Sequence, residues 1–402
     1  MNLTSEFEKS TRNSIMRKKI IGYYLYNHSS TLPDLAKELN ISVPTATKFV
    51  TEMLENGYII SYGKLETSEG RPPTLYGLNP ESGYFIGVDI KESVINFALI
   101  NLIGEIVDIR LGVECKLEYT PEGLETICYH ISDFINSINV SKDKIFNIGI
   151  NIRGRVNSES GYSFSHFNFE ERPLAEILSE KIGINVGIDN DTRAMTYGEM
   201  KMGCVNGEKN IIFINLSWGI GSGLIFNGEI YTGKSGFSGE FGHFNVFDNE
   251  KICHCGKRGC LETEVSGKAL YFDLIKCVNE GKESILSKRI KENKDSLTLY
   301  DIVDAINKED LLCIELIEEI GQKLGRYLAG LINLLNPELV IIGGTLASVG
   351  DYILLPIKSS VKKYSLNLVN KDTEIVLSKL QEKAGVIGAC LLARSRFFES
   401  KE

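Results

Sequence analysis

Apolar residues in the first eighty positions recur with helical spacing and then switch to alternation. Between 11 and 27, Ile15, Ile20, Ile21, Tyr24 and Leu25 mark the apolar side of a first helix. Thr31 followed by Asp34 has the form of a capping box, with Asp in place of the usual Glu, and opens a short helix over 32–39 that buries Leu35, Ala36 and Leu39. Asn40-Ile41 makes a turn. Ser42 then caps a third helix in which Ala46, Phe49, Val50, Met53 and Leu54 share one face, and Asn56-Gly57 closes it. Residues 58–62 and 74–78 read as strands flanking Gly70-Arg71-Pro72-Pro73. Two short helices, a tight turn, a third helix and a strand pair are the parts of a winged helix-turn-helix. In such a domain the start of the third helix meets base edges, so Ser42, Thr45 and Lys48 are candidate DNA contacts, and Arg71 is placed for a phosphate or the minor groove. The same pattern also fits a three-helix interaction module with no nucleic-acid partner.

From residue 83 the texture changes. Apolar runs at 84–90, 94–99, 106–113, 145–152, 185–188, 211–216, 223–226 and 339–342 read as strands, and 127–138 as a helix. Strands interleaved with helices predict an α/β fold with ligand groups at the C-terminal ends of strands. The most apolar long stretch, 328–349, is broken by Asn333, Asn336, Pro337 and Glu338, so it reads as a buried helix and strand rather than a membrane span.

Length and charge refine this picture. With 402 residues and 43% hydrophobic positions, two or three domains with full cores are expected. The net charge of −9 argues against a nucleic-acid binder until it is divided: residues 1–80 hold nine basic and eight acidic side chains, and the remainder 35 basic against 45 acidic. A near-neutral small domain still holds DNA if its basic groups face one side. No basic start followed by an apolar run marks a signal peptide, and nine cysteines then point to reduced thiols or metal ligands in a cytoplasmic protein.

Three features carry chemistry. Ser217-Trp218-Gly219-Ile220-Gly221-Ser222-Gly223 places glycines at alternate positions between two strands, which suits either a phosphate-binding turn or a tight hairpin with no ligand. Asn190-Asp191 ends a strand and precedes a helix over 192–200, so it suits either a general base or a helix N-cap. His243, Cys253, Cys255 and Cys260 supply four ligands that close a tetrahedral zinc shell with no open position, the mark of structural zinc. His254, lying between two such cysteines, is poorly placed to turn inward as an alternative.

These residues resemble the ROK family, which spans repressors, open reading frames and sugar kinases. The resemblance rests on Glu240-x-Gly242-His243 and on Cys253-x-Cys255-Gly256-x-x-Gly259-Cys260-x-Glu262. Asn190-Asp191, the 219–223 turn, Gly149-x-x-x-x-Gly154-x-Val156 and Gly343-Gly344 follow in the family's order. The N-terminal domain with its Gly70-Arg71-Pro72 wing is similar to the repressor branch, which includes sugar-responsive regulators. The resemblance implies an actin-like, two-lobed sugar-kinase fold of ribonuclease H-like repeats, with a cleft between lobes. A winged helix-turn-helix over 1–79 precedes it. One lobe then spans 80–190, completed by a helix at 384–402, and the other spans 191–383 with the zinc loop. Asn190, Asp191, Glu240, His243 and Glu262 would line the sugar site, with His243 serving zinc and sugar at once, and Asp191 would be the catalytic base if the chain is a kinase.

The chain departs from the family's kinases at the phosphate turn. Their Asp-x-Gly-Gly-Thr reads Asp89-Ile90-Lys91-Glu92-Ser93 here, and Gly343-Gly344 is followed by Thr345 where a third Gly is common. Asp89, Gly219, Gly221, Gly223, Gly343 and Gly344 are therefore the remains of a nucleotide site, and ATP is not expected as a ligand. Arg153 stands where the family often has Pro. Arg193 stands where kinases often carry Asn, and suits either a charged or phosphorylated sugar or a surface helix position. The expected function is a sugar-responsive, DNA-binding regulator, with operator DNA and a sugar, amino sugar or sugar phosphate as partners, acting as a homodimer or tetramer away from membranes. A ROK sugar kinase with an added N-terminal domain, or a regulator switched by a protein partner, are the alternatives.

Overall fold

The computed structural model describes residues 11–65, 72–91 and 93–398. The chain divides into two units, Met1–Asp189 with Ala389–Glu402, and Asn190–Gly388. Among the described residues no helix is long and apolar enough to cross a membrane.

The first unit opens with α1 (Arg12–Asn27), β1 (Ser29–Ser30), α2 (Leu32–Glu38), α3 (Val43–Glu55), β2 (Ile59–Lys64) and β3 (Thr74–Leu78). Each helix starts on a hydroxyl cap: Thr11 accepts from the Ser14 N–H, Thr31 from that of Asp34 and Ser42 from that of Thr45. At α2 the capping hydroxyl also donates to Asp34 Oδ2 at 2.6 Å. Ile20, Ile21, Tyr24, Leu35, Ala36, Ala46, Phe49, Val50 and Met53 form the core. Ile15, expected inside, is exposed, because the buried stripe of α1 runs through Ser14, Ile21 and Tyr24 and Ile15 sits one residue off it. The strands pair as β1-β3-β2, and β1, at two residues, is too short for any periodicity to reveal.

The rest of this unit is β4 (Tyr84–Ile90), β5 (Val94–Asn101), β6 (Ile106–Glu114), α4 (Pro121–Ser137), β7 (Ile145–Ile152), the short pair β8 (Val156–Asn157) and β9 (Tyr162–Ser163), α5 (Leu174–Ile182) and β10 (Val186–Asn190). The second unit holds α6 (Asp191–Met202), β11 (Ile211–Leu216), β12 (Ile220–Phe226), β13 (Glu229–Ile230), α7 (Gly267–Asn279), α8 (Ser287–Asn293), α9 (Leu299–Asn307), α10 (Leu311–Leu335), β14 (Leu339–Gly343), α11 (Asp351–Tyr364), α12 (Asn367–Asp372) and β15 (Glu374–Leu377). Helix α13 (Ala384–Phe398) starts in the second unit and ends in the first.

The two units repeat one sheet plan. Their orders, β6-β5-β4-β7-β10 and β13-β12-β11-β14-β15, are both 3-2-1-4-5 when each sheet's strands are counted along the chain. In both, the first three strands are antiparallel and the fourth runs parallel to the first. The order reverses between strands 1 and 4, where open α/β sheets hold ligands at strand C-termini. The alternation of β11 explains its helices on both faces: Ile212, Ile214 and Leu216 join the core containing Leu274, Ile302, Leu324 and Ile353, while Ile211 and Phe213 pack with Met195 and Met200.

Helix α6, which starts at Asp191, is clamped onto this sheet. A Cβ at Gly221 would lie 2.5 Å from Thr192 Oγ1, and one at Gly223 would collide with Thr196 Oγ1, so both glycines let the helix ride directly on β12. At its far end the fully buried Glu199 accepts from Ser378 Oγ at 2.6 Å, the Leu380 N–H at 2.7 Å and the Cys204 N–H at 3.0 Å. Glu199→Ala strips one buried and two half-buried donors of their acceptor and is expected to destabilise the protein by on the order of 3 kcal/mol, read as a lowered midpoint in denaturant unfolding.

Candidate functional site

The candidate recognition face of the N-terminal domain is the side of α3 opposite its buried Ala46, Phe49, Val50 and Met53. Ser42 and Lys48 are exposed and Thr45 is half-buried, while Arg71 lies outside the described residues. Ser42 is already engaged, since its hydroxyl lies 2.8 Å from Thr45 Oγ1 and caps the Thr45 N–H. Thr45 sits toward the flank where Arg17 bonds Glu52 at 3.1 Å. Helical spacing from the core places Pro44, Lys48, Thr51 and Glu55 furthest outward, with Thr47 on one flank beside them, and all five are exposed. Thr47 and Thr51 escape an expectation confined to the start of the helix. The periodicity that locates the core also finds them.

In the second unit, Glu240 precedes a tight turn over Phe241–His243, and the residue before it, Gly239 (φ +86°), packs its own Cα against the carbonyl of Ser222. The segment 252–260 folds back on itself: Ile252 pairs with Arg258, Cys253 N–H donates to Lys257 O at 2.8 Å, and Gly256 and Gly259 take positive φ. This turn gathers the donor atoms of His243, Cys253, Cys255 and Cys260 within 4.8 Å of one another, a set able to hold a metal ion. Cys253 Sγ lies 3.6 Å from His243 Nδ1, and Cys255 Sγ lies 3.7 Å from Cys260 Sγ. Burial pushes the Cys253 thiol up to about 12 and also raises Cys260. Burial pushes Cys255 upward too, yet it falls below the ordinary thiol value, because the Lys257 N–H and the two neighbouring thiols donate to it. The other nitrogen of His243, Nε2, faces Glu240 Oε2 at 3.5 Å.

The remaining candidates meet at the start of β12. Asn190 caps α6, accepting from the Arg193 N–H at 3.0 Å, and its amide donates to Asp191 Oδ1 at 3.1 Å. N-cap and acid are thus two adjacent residues with separate tasks. Gly221 lies under Thr192, the next residue of α6. One residue earlier, the Ile220 N–H donates to Glu262 Oε2 at 3.2 Å, and a Cβ at Gly219 would stand 2.7 Å from the same oxygen. Glu262 Oε1 lies 2.7 Å from His254 Nδ1. Arg193 is buried, not a surface position, and its guanidinium donates to Gly236 O at 2.9 Å.

The 219–223 segment is less of a turn than its glycines suggest. Only 217–219 turns, Gly221 and Gly223 belong to β12, and their lack of a side chain is accounted for by Thr192 and Thr196. Gly344 (φ +86°) follows β14, and a Cβ there would stand 2.5 Å from Asn215 Oδ1. Thr345 N–H donates to Ser217 Oγ at 3.1 Å, so the two turns at the switch point of this sheet adjoin. In the first unit, Asp89 is buried at the end of β4 in register with Asn151, and Lys91 N–H closes the turn on Val94 O at 3.0 Å. Glu92 lies outside the described residues. Arg153 follows β7 and is half-buried.

Comparison with known proteins places this geometry. The ROK family model matches residues 85–396, and a winged helix-turn-helix DNA-binding model matches residues 14–60. The chain is similar to the xylose repressor of Bacillus subtilis, at 28% identity with 98% of this chain and 97% of that one covered. It is similar to a glucokinase of Halalkalibacterium halodurans at 32% identity, over 78% of this chain and 96% of that one. Among solved structures, a ROK family transcriptional regulator described as a homolog of the E. coli MLC protein superposes with a TM-score of 0.79 at 25% identity, over 96% of each chain. The sheet plan, the His-Cys loop and the matched residues agree: the chain belongs to the ROK family and carries a winged helix-turn-helix domain at its N-terminus.

Proposed function

We infer that the protein is a sugar-responsive, DNA-binding transcriptional regulator. One observation carries this reading: a helix-turn-helix whose third helix exposes Pro44, Thr47, Lys48 and Thr51 is joined to a ROK domain. The similarity to a xylose repressor across nearly the whole chain supports it. Lys48 and Arg71 are assigned to phosphates, and Thr47 and Thr51, with Ser42 and Thr45 at the helix start, to base edges. Two copies would read the two halves of a palindrome. The effector is a sugar or sugar derivative, and its hydroxyls suit the acceptors of Asn190, Asp191, Glu240 and Glu262 and the ring of His243. Arg193, with its guanidinium committed to Gly236 O, is not assigned to the effector.

The metal is assigned as one structural zinc on His243, Cys253, Cys255 and Cys260. A tetrahedral zinc with bonds of about 2.3 Å to sulfur and 2.0 Å to nitrogen separates two sulfurs by about 3.8 Å and a sulfur from a nitrogen by about 3.5 Å. The Cys255–Cys260 and Cys253–His243 separations of 3.7 and 3.6 Å match those values, and the remaining donor pairs lie within 4.8 Å. Bound there, zinc supplies a fixed crosslink: it locks the loop that carries Glu240 and Glu262 and sets His243 with Nε2 outward.

Kinase activity is not part of the proposed function. Phosphoryl transfer depends on close backbone cradling of phosphate, and Lys91 and Glu92 replace the two glycines that would allow it after Asp89.

Five outcomes are expected. Selection from random DNA recovers an operator, Lys48→Ala and Arg71→Ala each flatten the salt dependence of binding by about one unit of slope, and a sugar changes operator affinity by the same factor as operator changes sugar affinity. Failure to recover any bound sequence sinks the DNA assignment, and sugar binding with unchanged operator affinity sinks the coupling. Metal analysis of protein purified without added zinc gives one zinc per chain, and Cys260→Ser lowers it well below one. A coupled ADP-release assay with Mg-ATP and a broad sugar panel stays far below the ordinary enzyme range of roughly 1 to 1,000 per second.

A further inference from the structure

His254 is the residue of the zinc loop that the zinc set leaves over. Its backbone is held between Cys253 and Cys255, and its ring stands edge-on to that of His243, with centroids 5.1 Å apart and planes at 65°. Its Nδ1 lies 2.7 Å from Glu262 Oε1, a charge-assisted hydrogen-bond distance in which the imidazole N–H donates to the carboxylate. The second oxygen of Glu262 takes the Ile220 N–H at 3.2 Å. His254 Nδ1 from the zinc loop and the Ile220 N–H from β12 therefore hold one oxygen each of a carboxylate whose side chain is only 14% exposed. Cys253 Sγ also lies 3.8 Å from Oε1 on the loop side, so it is Oε2 that keeps a further lone pair for another donor. The His254 side chain, at 63% exposed, has little packing of its own to hold it, so its aim depends on the backbone of the cysteine loop.

We propose that His254 is a positioning residue: it orients Glu262 toward the hydroxyls of the sugar effector and so transmits the order of the metal loop to the effector site. This rests on the sugar-binding reading given above. It explains why a histidine is useful between two metal ligands without being one. A crosslinked loop presents the imidazole at a fixed angle, and the imidazole passes that constraint to a carboxylate eight residues further on. Asparagine at this position carries an amide N–H where the histidine has Nδ1–H, and alanine carries nothing.

The test compares wild type, His254→Ala and His254→Asn as full-length protein. Each is titrated calorimetrically with D-glucose, D-xylose and N-acetyl-D-glucosamine, and its zinc content is measured. The expected result is sugar binding weakened on the order of tenfold by His254→Ala and largely restored by His254→Asn, with one zinc per chain throughout and sugar-free operator affinity unchanged. Unaltered sugar affinity in His254→Ala overturns the role of His254 and leaves the effector reading standing. Loss of zinc in His254→Ala overturns it by making the residue a ligand. A second zinc in wild type that disappears in His254→Ala overturns it in favour of a metal position on Cys253, His254 and Glu262, whose donors also lie within 4.8 Å. Failure of wild type to bind any of the three sugars overturns the effector reading and the role of His254 with it.

Discussion

Glu262 is where the two halves of the candidate effector site are tied together. It follows Cys260 by two residues, so it travels with the His-Cys loop, yet one of its oxygens is held by a backbone N–H of β12. The approach is close enough that Gly219 has no room for a side chain beside that oxygen. Glu264, two residues on, anchors the same stretch with Lys251 at 2.8 Å and Lys323 at 3.1 Å, and Tyr327 OH donates to Val246 O at 3.1 Å. The loop is thus fastened to α10 as well as to β12. Burial opposes the charge of Glu264, but the two lysines outweigh it and hold its carboxyl below the usual range.

The other half of the site depends on how closely α6 approaches β12. Asn190 and Asp191 owe their position to a helix seated on two glycines at one end and tethered by a buried carboxylate at the other. Neither device is local in sequence. Glu199 reaches Ser378 and Leu380 across about half the chain, and its partners give no hint of this in a linear reading. The sheet and loop residues proposed to share a ligand therefore have separate supports in this unit.

Much of this was legible from residue order. Hydrophobic period found the recognition helix within a residue or two, because Ala46, Phe49, Val50 and Met53 obey one rule of spacing. The strand runs of both sheets were visible because β4, β7, β11 and β14 are buried on both faces and so continuously apolar. The donors of the His-Cys set are close in sequence, so their convergence needed only turns that Gly256 and Gly259 permit. Three things were not legible. Ser42 and Thr45 satisfy one another, which depends on rotamers. Arg193 points inward to a carbonyl 43 residues away. The aim of His254 toward Glu262 depends on the fold of the loop between them, which spacing alone does not give.

The doubled sheet plan puts one structural address in the chain twice. The connection after the first strand of a sheet occurs once in each unit, between β4 and β5 and at 217–219 between β11 and β12. The first carries Lys91 and Glu92 in its sequence, and the second carries Gly219, with Gly221 and Gly223 following in β12. Two of the glycines in the second copy are required by a helix lying on a strand, a demand that persists whether or not a phosphate ever visits. A glycine-rich signature at that address therefore records how tightly the layers are stacked. It would survive the loss of an ancestral chemistry unchanged, like the masonry of a hearth in a house that no longer burns wood.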